Sequence, residues 1–549
     1  MNLKRTILRP IAYLGGLHAQ RQLKGFLSAH QRTRQVQDQL LSELLHRHAA
    51  TTFAADHNFA SIRSYEDFKA AVPIRTYDDL RPYMDAVLAG QTTALLPPDQ
   101  PVLMFSRTSG TTGKPKHIPV TPRFLSEMRR GWNIWGLAAL LDHKAAWLRP
   151  ILQISSPMHE SDSPTGKCCG AISGLLARTQ KPIVRRMYVV PACVLEIPDP
   201  LAKCYATLRC AIEHDVSFIT TANPSSTIKL IETGQQHADG LIRDLADGTL
   251  NPPGGLPPSV AGQLRFRPNK ALARRLEAGI ARDGHLLPRH FWNVAFLANW
   301  TGGTLKLYLP RLRELFNDAP VRDIGLLASE GRFSIPMADD TSAGVADILG
   351  NFLEFIPAGD YGRPNPPVFR ADELEVGQEY FLVVTNWAGL WRYSLDDRIR
   401  VTGRLGQSPV FEFLSRGLHT ANITGEKITE HQVVEAMRRA CAVVSARVER
   451  FVVQGRFARE PYYELRLEQE TGLDMPALAA AMDAELMALN IEYASKRKTL
   501  RLGPVQPRAL PPGAMEQAER ERIRQRLGRG EQYKHQYLLT DVLEDGPGN

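Results

Sequence analysis

Residues Ser106–Thr121 read SRTSGTTGKPKHIPVT, and the fold is decided there. Hydroxyls, glycines and lysines follow one another in the composition of a phosphate-gripping loop. Gly110 and Gly113 carry no Cβ, so backbone N–H groups can converge on anionic oxygens. Thr108, Ser109, Thr111 and Thr112 add hydroxyl donors, and Lys114 and Lys116 add charge. The apolar run Val102, Leu103, Met104, Phe105 just before reads as a buried strand, which sets the loop at the end of a sheet.

This is not a Walker loop. That motif needs Gly at position 108 and Ser or Thr directly after the Gly-Lys pair, whereas Thr108 and Pro115 stand there. Position by position, Thr108 to Lys116 instead match the signature of acyl-adenylate-forming enzymes, [ST][ST]G[ST]TGxPK. A surface turn rich in Ser, Thr and Gly accounts for three or four such residues, but not for the whole order with its terminal Pro-Lys.

The chain has 549 residues, 43% hydrophobic and 23% charged, enough for two or more domains around a large core. Its formal net charge of +9 is spread along the sequence, with short clusters at Lys496-Arg497-Lys498 and Arg520 to Arg526, so no nucleic-acid partner is expected. A modestly basic surface also suits an enzyme that attracts ATP and carboxylates. The six cysteines, Cys168, Cys169, Cys193, Cys204, Cys210 and Cys441, include no CxxC pair and fit free thiols in a reducing, cytoplasmic setting. Near the N-terminus, Arg9, Pro10 and Arg21 interrupt the apolar residues. A helical arm is expected there, with no signal peptide, transmembrane helix or stable membrane insertion.

Residues from about 20 to 80 read as helical, with Leu40, Leu41, Leu44 and Leu45 on one face. Beyond the loop, short apolar segments such as Trp147 to Ile154 and Phe218 to Thr221 alternate with helical ones, and Asn251 to Ser259, NPPGGLPPS, reads as a surface loop. Tyr380 to Val401 reads as a hairpin turning at Ala388-Gly389. After Arg416 come a helix opened by Thr429 and Gln432 in capping-box spacing, strands at Arg447 to Val453 and Tyr462 to Glu468, and a helix from Pro476 to Leu489. The expected fold is α/β: a large N-terminal adenylate-forming domain with mixed sheets and flanking helices over 1–415, and a small α+β C-terminal domain over 416–549.

Three further motifs follow in order. In Leu326 to Glu330, LLASE, Glu330 past a strand end suits magnesium on ATP phosphates, since Mg²⁺ takes oxygen ligands and few of them from protein. Taken alone, such a glutamate is more often a surface residue or a helix start. In the hairpin, Asp397 can accept both ribose hydroxyls, and so can Asp396 beside it. In the C-terminal GRGEQYKHQY, Lys534 can bring a point charge to a carboxylate or α-phosphate.

The arrangement resembles the auxin-responsive acyl-acid amido synthetases of plants, the Gretchen Hagen family, over most of the chain. The resemblance rests on TSGTTGKPK, DGTLNPP at Asp247, TGGTLKLYLPRL at Thr301, ASE at Ala328, AGLWRYSLDDRIRVTG at Ala388 and EQYK at Glu531. The family's patterns there are similar to SSGTSGG, TGTLNP, TGAMAQYIPTL, YASSE, AGLYRYRVGDVLRVTG and NQYK. Carried over, the resemblance implies ATP binding by Thr108, Ser109, Gly110, Thr111, Thr112, Gly113, Lys116, Ser329, Glu330, Asp397 and Arg416. It further implies Mg²⁺ on Glu330 and catalysis by Lys534 and Glu330. Arg416 and Lys427 fall at the domain junction, the hinge near Leu414 to Thr420, and the C-terminal domain would be mobile. Two departures stand out: Leu326 replaces the tyrosine of YASSE, and Asp396 replaces the glycine before the ribose aspartate.

The implied reaction joins a small-molecule carboxylic acid to an amino acid or other amine through an acyl-adenylate, with release of pyrophosphate and AMP. It needs no enzyme nucleophile, so the absence of a Ser-His-Asp pattern is no obstacle. Two alternatives share these motifs: transfer of the adenylate to coenzyme A or a carrier thiol, and a non-catalytic nucleotide-binding scaffold. Trp132, Trp135, Met158 and His159 are candidates for an acyl site, although a Trp pair at helical spacing is more often core.

Overall fold

The computed structural model describes residues 17, 20–108, 116–154, 158–180, 182–417, 420–421, 423, 426, 428–458, 460–469, 472–498, 502–525 and 535–544. The chain divides into two compact units. The first comprises Met1–Gly302, Leu309–Leu395 and Ile399–Phe413, the second Gly303–Tyr308, Asp396–Arg398 and Leu414–Asn549.

The first unit is mixed α/β. Its parallel sheet runs Ile151–Gln153, Phe218–Thr221, Phe296–Asn299, Val321–Asp323. Phe296–Asn299 is buried at every position, as expected of a parallel strand covered on both faces. A second sheet has the order Lys116–Val120, Met104–Thr108, Cys168–Gly170, Ser161–Asp162. The largest, of seven strands, has Leu390–Leu405 between Ser408–Arg416 and Glu379–Asn386.

The N-terminal segment is helical because its turns are capped: Ser64 with Asp67 and Thr76 with Asp79 form capping boxes. Between these helices Arg75 pairs with the long strand, its N–H donating to Arg392 O at 2.9 Å and its C=O accepting from Ser394 N at 2.8 Å. Trp391, fully buried, meets Phe53, Phe59, Phe68 and His48 there. The helical residues 20–29 bring Leu23 and Phe26 to a second apolar cluster with Trp135 and Phe296.

In the second unit a four-stranded sheet runs Gln506–Leu510, Tyr462–Glu468, Val452–Phe457, Leu538–Glu544. Tyr463, Leu465 and Leu467 point into a core closed by Leu478, Met482 and Leu486 of the helix Met475–Leu489. The helix Glu430–Val443 opens with the capping box of Thr429 and Gln432.

Several boundaries differ from the sequence reading. The strand expected over Arg447 to Val453 is Val452–Phe457. Ser445 takes a φ of 52° and Ala446 N donates back to Cys441 O at 2.9 Å, so the chain turns before it extends. Only Ile151–Gln153 of the segment Trp147 to Ile154 is a strand, and the loop Asn251 to Ser259 runs into a short helix at Pro258–Ala261. The hairpin's second strand extends to Leu405. All six cysteines are unbridged, and no helix among the described residues is long and apolar enough to cross a membrane.

Candidate active site

The strand carrying the start of the loop, Met104–Thr108, pairs antiparallel with Lys116–Val120, and Thr108 and Lys116 are register partners. Ser109, Gly110, Thr111, Thr112, Gly113 and the side chain of Thr108 lie outside the described residues. Lys116 is described. Its Nζ donates to Tyr393 Oη at 3.1 Å and lies 5.5 Å and 5.8 Å from the ring centroids of Tyr77 and Tyr393. The Tyr393 phenol oxygen and the Tyr77 ring together hold the ammonium in place. Tyr77 is itself tied to His117, accepting from its N–H at 2.8 Å and donating to its C=O at 3.3 Å. Burial first, and nearby carboxylates that include Glu330, push the Tyr77 phenol above its usual pKa.

Ser329 and Glu330 form the two-residue turn of a hairpin in which Leu327–Ala328 pairs with Gly331–Arg332. The sequence reading placed Glu330 just past a strand end; the structure puts it at this turn. Ser106 Oγ, on the strand that leads into the phosphate loop, donates to Ser329 Oγ at 2.7 Å. Behind the turn, Asn386 Nδ2 donates to Glu330 O at 2.7 Å and to Asn351 Oδ1 at 3.1 Å, and Asn351 Nδ2 donates to Arg332 O at 2.6 Å. Glu330 is thus held from its backbone and only 1% exposed.

The approach to this hairpin is organised by Asp323. Its carboxylate accepts from Thr301 N at 2.5 Å, Thr301 Oγ1 at 2.6 Å and Gly325 N at 2.5 Å. Burial pushes its pKa up to about 6 against those hydrogen bonds and the charge of Arg332. Gly325 has a φ of 85°, and a Cβ there would lie 2.3 Å from Ser334 O, so only glycine fits. Trp135 donates its Nε1 to Asp323 O at 2.7 Å and stands edge-on to Trp132 with centroids 5.4 Å apart. The Trp pair is largely core. Met158 packs partly buried on the main apolar cluster, while His159 is exposed beside Asp162.

In the second unit Asp397 is 4% exposed. Asp396 has a φ of 64°, and its C=O accepts from Gly417 N at 2.5 Å. The side chain of Arg416 and the whole of Lys427 and Lys534 lie outside the described residues. The DGTLNPP motif is explained by packing: Asp244 accepts from Tyr205 Oη, Thr249 Oγ1, Asn251 N and Asn251 Nδ2 at 2.6 to 2.8 Å. A cavity of about 430 Å³ beside it, lined by Tyr205, Gln235, His237 and Asp239, holds none of the expected nucleotide residues.

Among the described residues no group of three or more His, Cys, Asp or Glu could hold a metal ion. One buried carboxylate at a turn nevertheless suits Mg²⁺, which keeps waters and shares phosphate oxygens. Sequence reasoning missed Asn351, Asn386, Asp323 and Tyr393 as supports of the site. For the two asparagines the available signal was a polar residue opening or ending an otherwise apolar run, as in NFLEFI and FLVVTN.

Comparison with known proteins adds a family. The GH3 family N-terminal domain matches residues 22–321, its central domain 345–416 and its C-terminal domain 431–542. The indole-3-acetic acid-amido synthetase GH3.8 of Oryza sativa subsp. indica is 26% identical over 88% of this chain and 84% of its own. Jasmonoyl–L-amino acid synthetase JAR6 of Nicotiana attenuata is 26% identical over 74% of this chain and 73% of its own. Among solved structures, the acyl acid amido synthetase AtGH3.15 in complex with 2,4-DB superimposes with a TM-score of 0.82 at 20% identity, covering 96% of this chain and 95% of that one. The fold is therefore shared over nearly the whole length.

Proposed function

The chain belongs to the GH3 family, and from that premise we propose that it is an ATP-dependent acyl-acid amido synthetase. It activates a small carboxylic acid as its acyl-adenylate, releasing pyrophosphate, and passes the acyl group to an amino acid or other amine, releasing AMP. The observation that carries this reading is the 2.7 Å contact of Ser106 with Ser329. It ties the strand of the adenylation signature to the turn that carries Glu330, so two motifs 223 residues apart in sequence form one place.

In this reading the loop residues Thr108 to Gly113 and Lys116 grip the phosphates, with Lys116 aimed by Tyr393 and Tyr77. Ser329 adds a hydroxyl beside them. Glu330 would hold Mg²⁺, which supplies positive charge on the phosphate oxygens. Asp397 takes the ribose hydroxyls, Arg416 adds a basic contact, and Lys534 steadies the charge that builds on the α-phosphate as the carboxylate attacks. The protein supplies position and electrostatics, and no covalent enzyme intermediate is needed. The unbridged cysteines support a reducing, cytoplasmic setting.

Acid-dependent exchange of labelled pyrophosphate into ATP is expected with one class of carboxylic acid. Glu330→Gln and Lys534→Ala should each lower it by roughly a hundred- to thousand-fold while the fold persists. Mass detection of an amide when amino acids are supplied completes the assignment. A thioester formed with coenzyme A instead would move the acceptor, and no exchange with any acid in a broad panel would leave only a nucleotide-binding role.

A further inference from the structure

Arg332 ends the Ser329–Glu330 hairpin and is 1% exposed. Its Nη1 donates to Ile324 O at 2.7 Å, and its guanidinium carbon lies over Trp132, 4.2 Å from the ring centroid. Nε and Nη2 have no hydrogen-bond partner among the described residues. These two N–H groups form one edge of the guanidinium fork and point the same way, so they make a coherent donor pair. Leaving two buried donors unmade is costly and calls for an occupant.

The helix Pro122–Asp142, which begins at the end of the loop hairpin, makes room for this side chain. A Cβ at Gly131 would lie 2.4 Å from Arg332 Cδ and 3.1 Å from its Nε. Arg332 follows the turn residue Glu330 by two positions, a backbone span of at most about 7 Å, so a molecule reacting beside Glu330 can reach the fork with its far end.

Charge decides what that end is. Asp347 and Asp323 face Arg332, and Arg130 pairs with both Asp347 and Glu127. Arg123 pairs in turn with Glu127 and Glu43, so four carboxylates stand against three guanidiniums, Arg123, Arg130 and Arg332, and a further buried anion would add to an excess of negative charge. An oxygen with two lone pairs and no charge can accept both N–H groups without that cost.

Resting on the amido-synthetase reading, we propose that Arg332 is a specificity-determining residue that receives a neutral keto or hydroxyl oxygen on the body of the acid substrate. The acid taken by this chain is accordingly an oxo- or hydroxy-substituted carboxylic acid, neither a plain hydrocarbon acid nor a dicarboxylate.

Calorimetric titration of the full chain without ATP tests this, using matched sets such as hexanoate, 5-oxohexanoate and hexanedioate, and 3-phenylpropanoate with its 4-hydroxy and 4-carboxy forms. In at least one set the oxygen-bearing acid should bind roughly ten- to hundred-fold more tightly than its plain partner. Arg332→Met should bring that ratio to near one, and Gly131→Ala, which displaces the guanidinium without removing it, should lower it. A ratio near one in the unaltered chain, a ratio kept in Arg332→Met, tighter binding of the dicarboxylates, or binding of neither oxygenated series would overturn the proposal. If Arg332→Met does not fold, Gly131→Ala decides alone. Pyrophosphate exchange on the same acids is read separately: tight, Arg332-dependent binding without exchange sinks the amido-synthetase reading and leaves Arg332's role standing.

Discussion

Asp396 takes a φ of 64°, a left-handed backbone that glycine adopts freely and aspartate tolerates better than most residues. The family pattern has glycine there, so the departure keeps a backbone requirement with a second-best residue. Asp396→Gly should leave the stability of the second unit, read by urea titration, within about 0.5 kcal/mol and leave pyrophosphate exchange intact. Asp396→Val should lose about 1–2 kcal/mol, because a β-branched residue resists this conformation. Equal midpoints for the two variants would show that the φ carries no cost. Leu326, the other departure, is buried in the main apolar cluster and donates its N–H to Ser334 Oγ at 2.9 Å. Its side chain fills core where the family pattern has a tyrosine.

The Ser329–Glu330 hairpin is too short to hold itself, with two paired residues on each side. Its position is set by Ser106 in front and by Asn386 and Asn351 behind. Removing the Asn386 amide leaves Glu330 O without that donor, so Asn386→Ala should cost about 1–3 kcal/mol. It should also lower exchange by raising the KM for ATP more than it lowers kcat, because the hairpin shifts while its groups remain. An unchanged KM would detach Asn386 from the site. Such elements are hard to read in a sequence. The strand Tyr462–Glu468 was legible because its apolar residues alternate, and the helix at Glu430 because Thr429 and Gln432 stand at capping distance. LLASEGR carries no period long enough to show a turn, and Asn351 and Asn386 act only through partners distant in sequence. The family motif DGTLNPP was visible, but its reason lies outside it, in the Asp244 carboxylate that gathers Thr249 and Asn251.

Across the molecule, the buried titratable groups of the first unit set how its stability responds to acid. His30 and His48 lie buried against Ser408 Oγ at 2.7 Å and Leu44 O at 2.8 Å, and burial lowers each imidazole to a pKa of about 4. Between pH 6.5 and 4 the unfolded chain binds protons that the folded one refuses, so stability falls as pH falls through that window. From pH 7 to 5 this amounts to about 2 kcal/mol for each histidine. Asp323 works the other way. Its pKa, raised to about 6, lies above the unfolded value, so the folded state takes up a proton first and stability rises as pH falls through 6. That returns about 1 kcal/mol over the same interval. The two histidines therefore outweigh Asp323, and the first unit should be weaker at pH 5 than at pH 7 by a few kcal/mol from these groups together. Urea titrations of the unaltered chain and of His48→Gln at both pH values separate the contributions. The glutamine variant is less stable at pH 7, where it loses the fit of the ring against Trp391, and its difference from the unaltered chain should shrink by about 2 kcal/mol at pH 5. A difference that stays constant between the two pH values would mean that His48 titrates alike in the folded and unfolded chain, and that its burial does not govern the acid response.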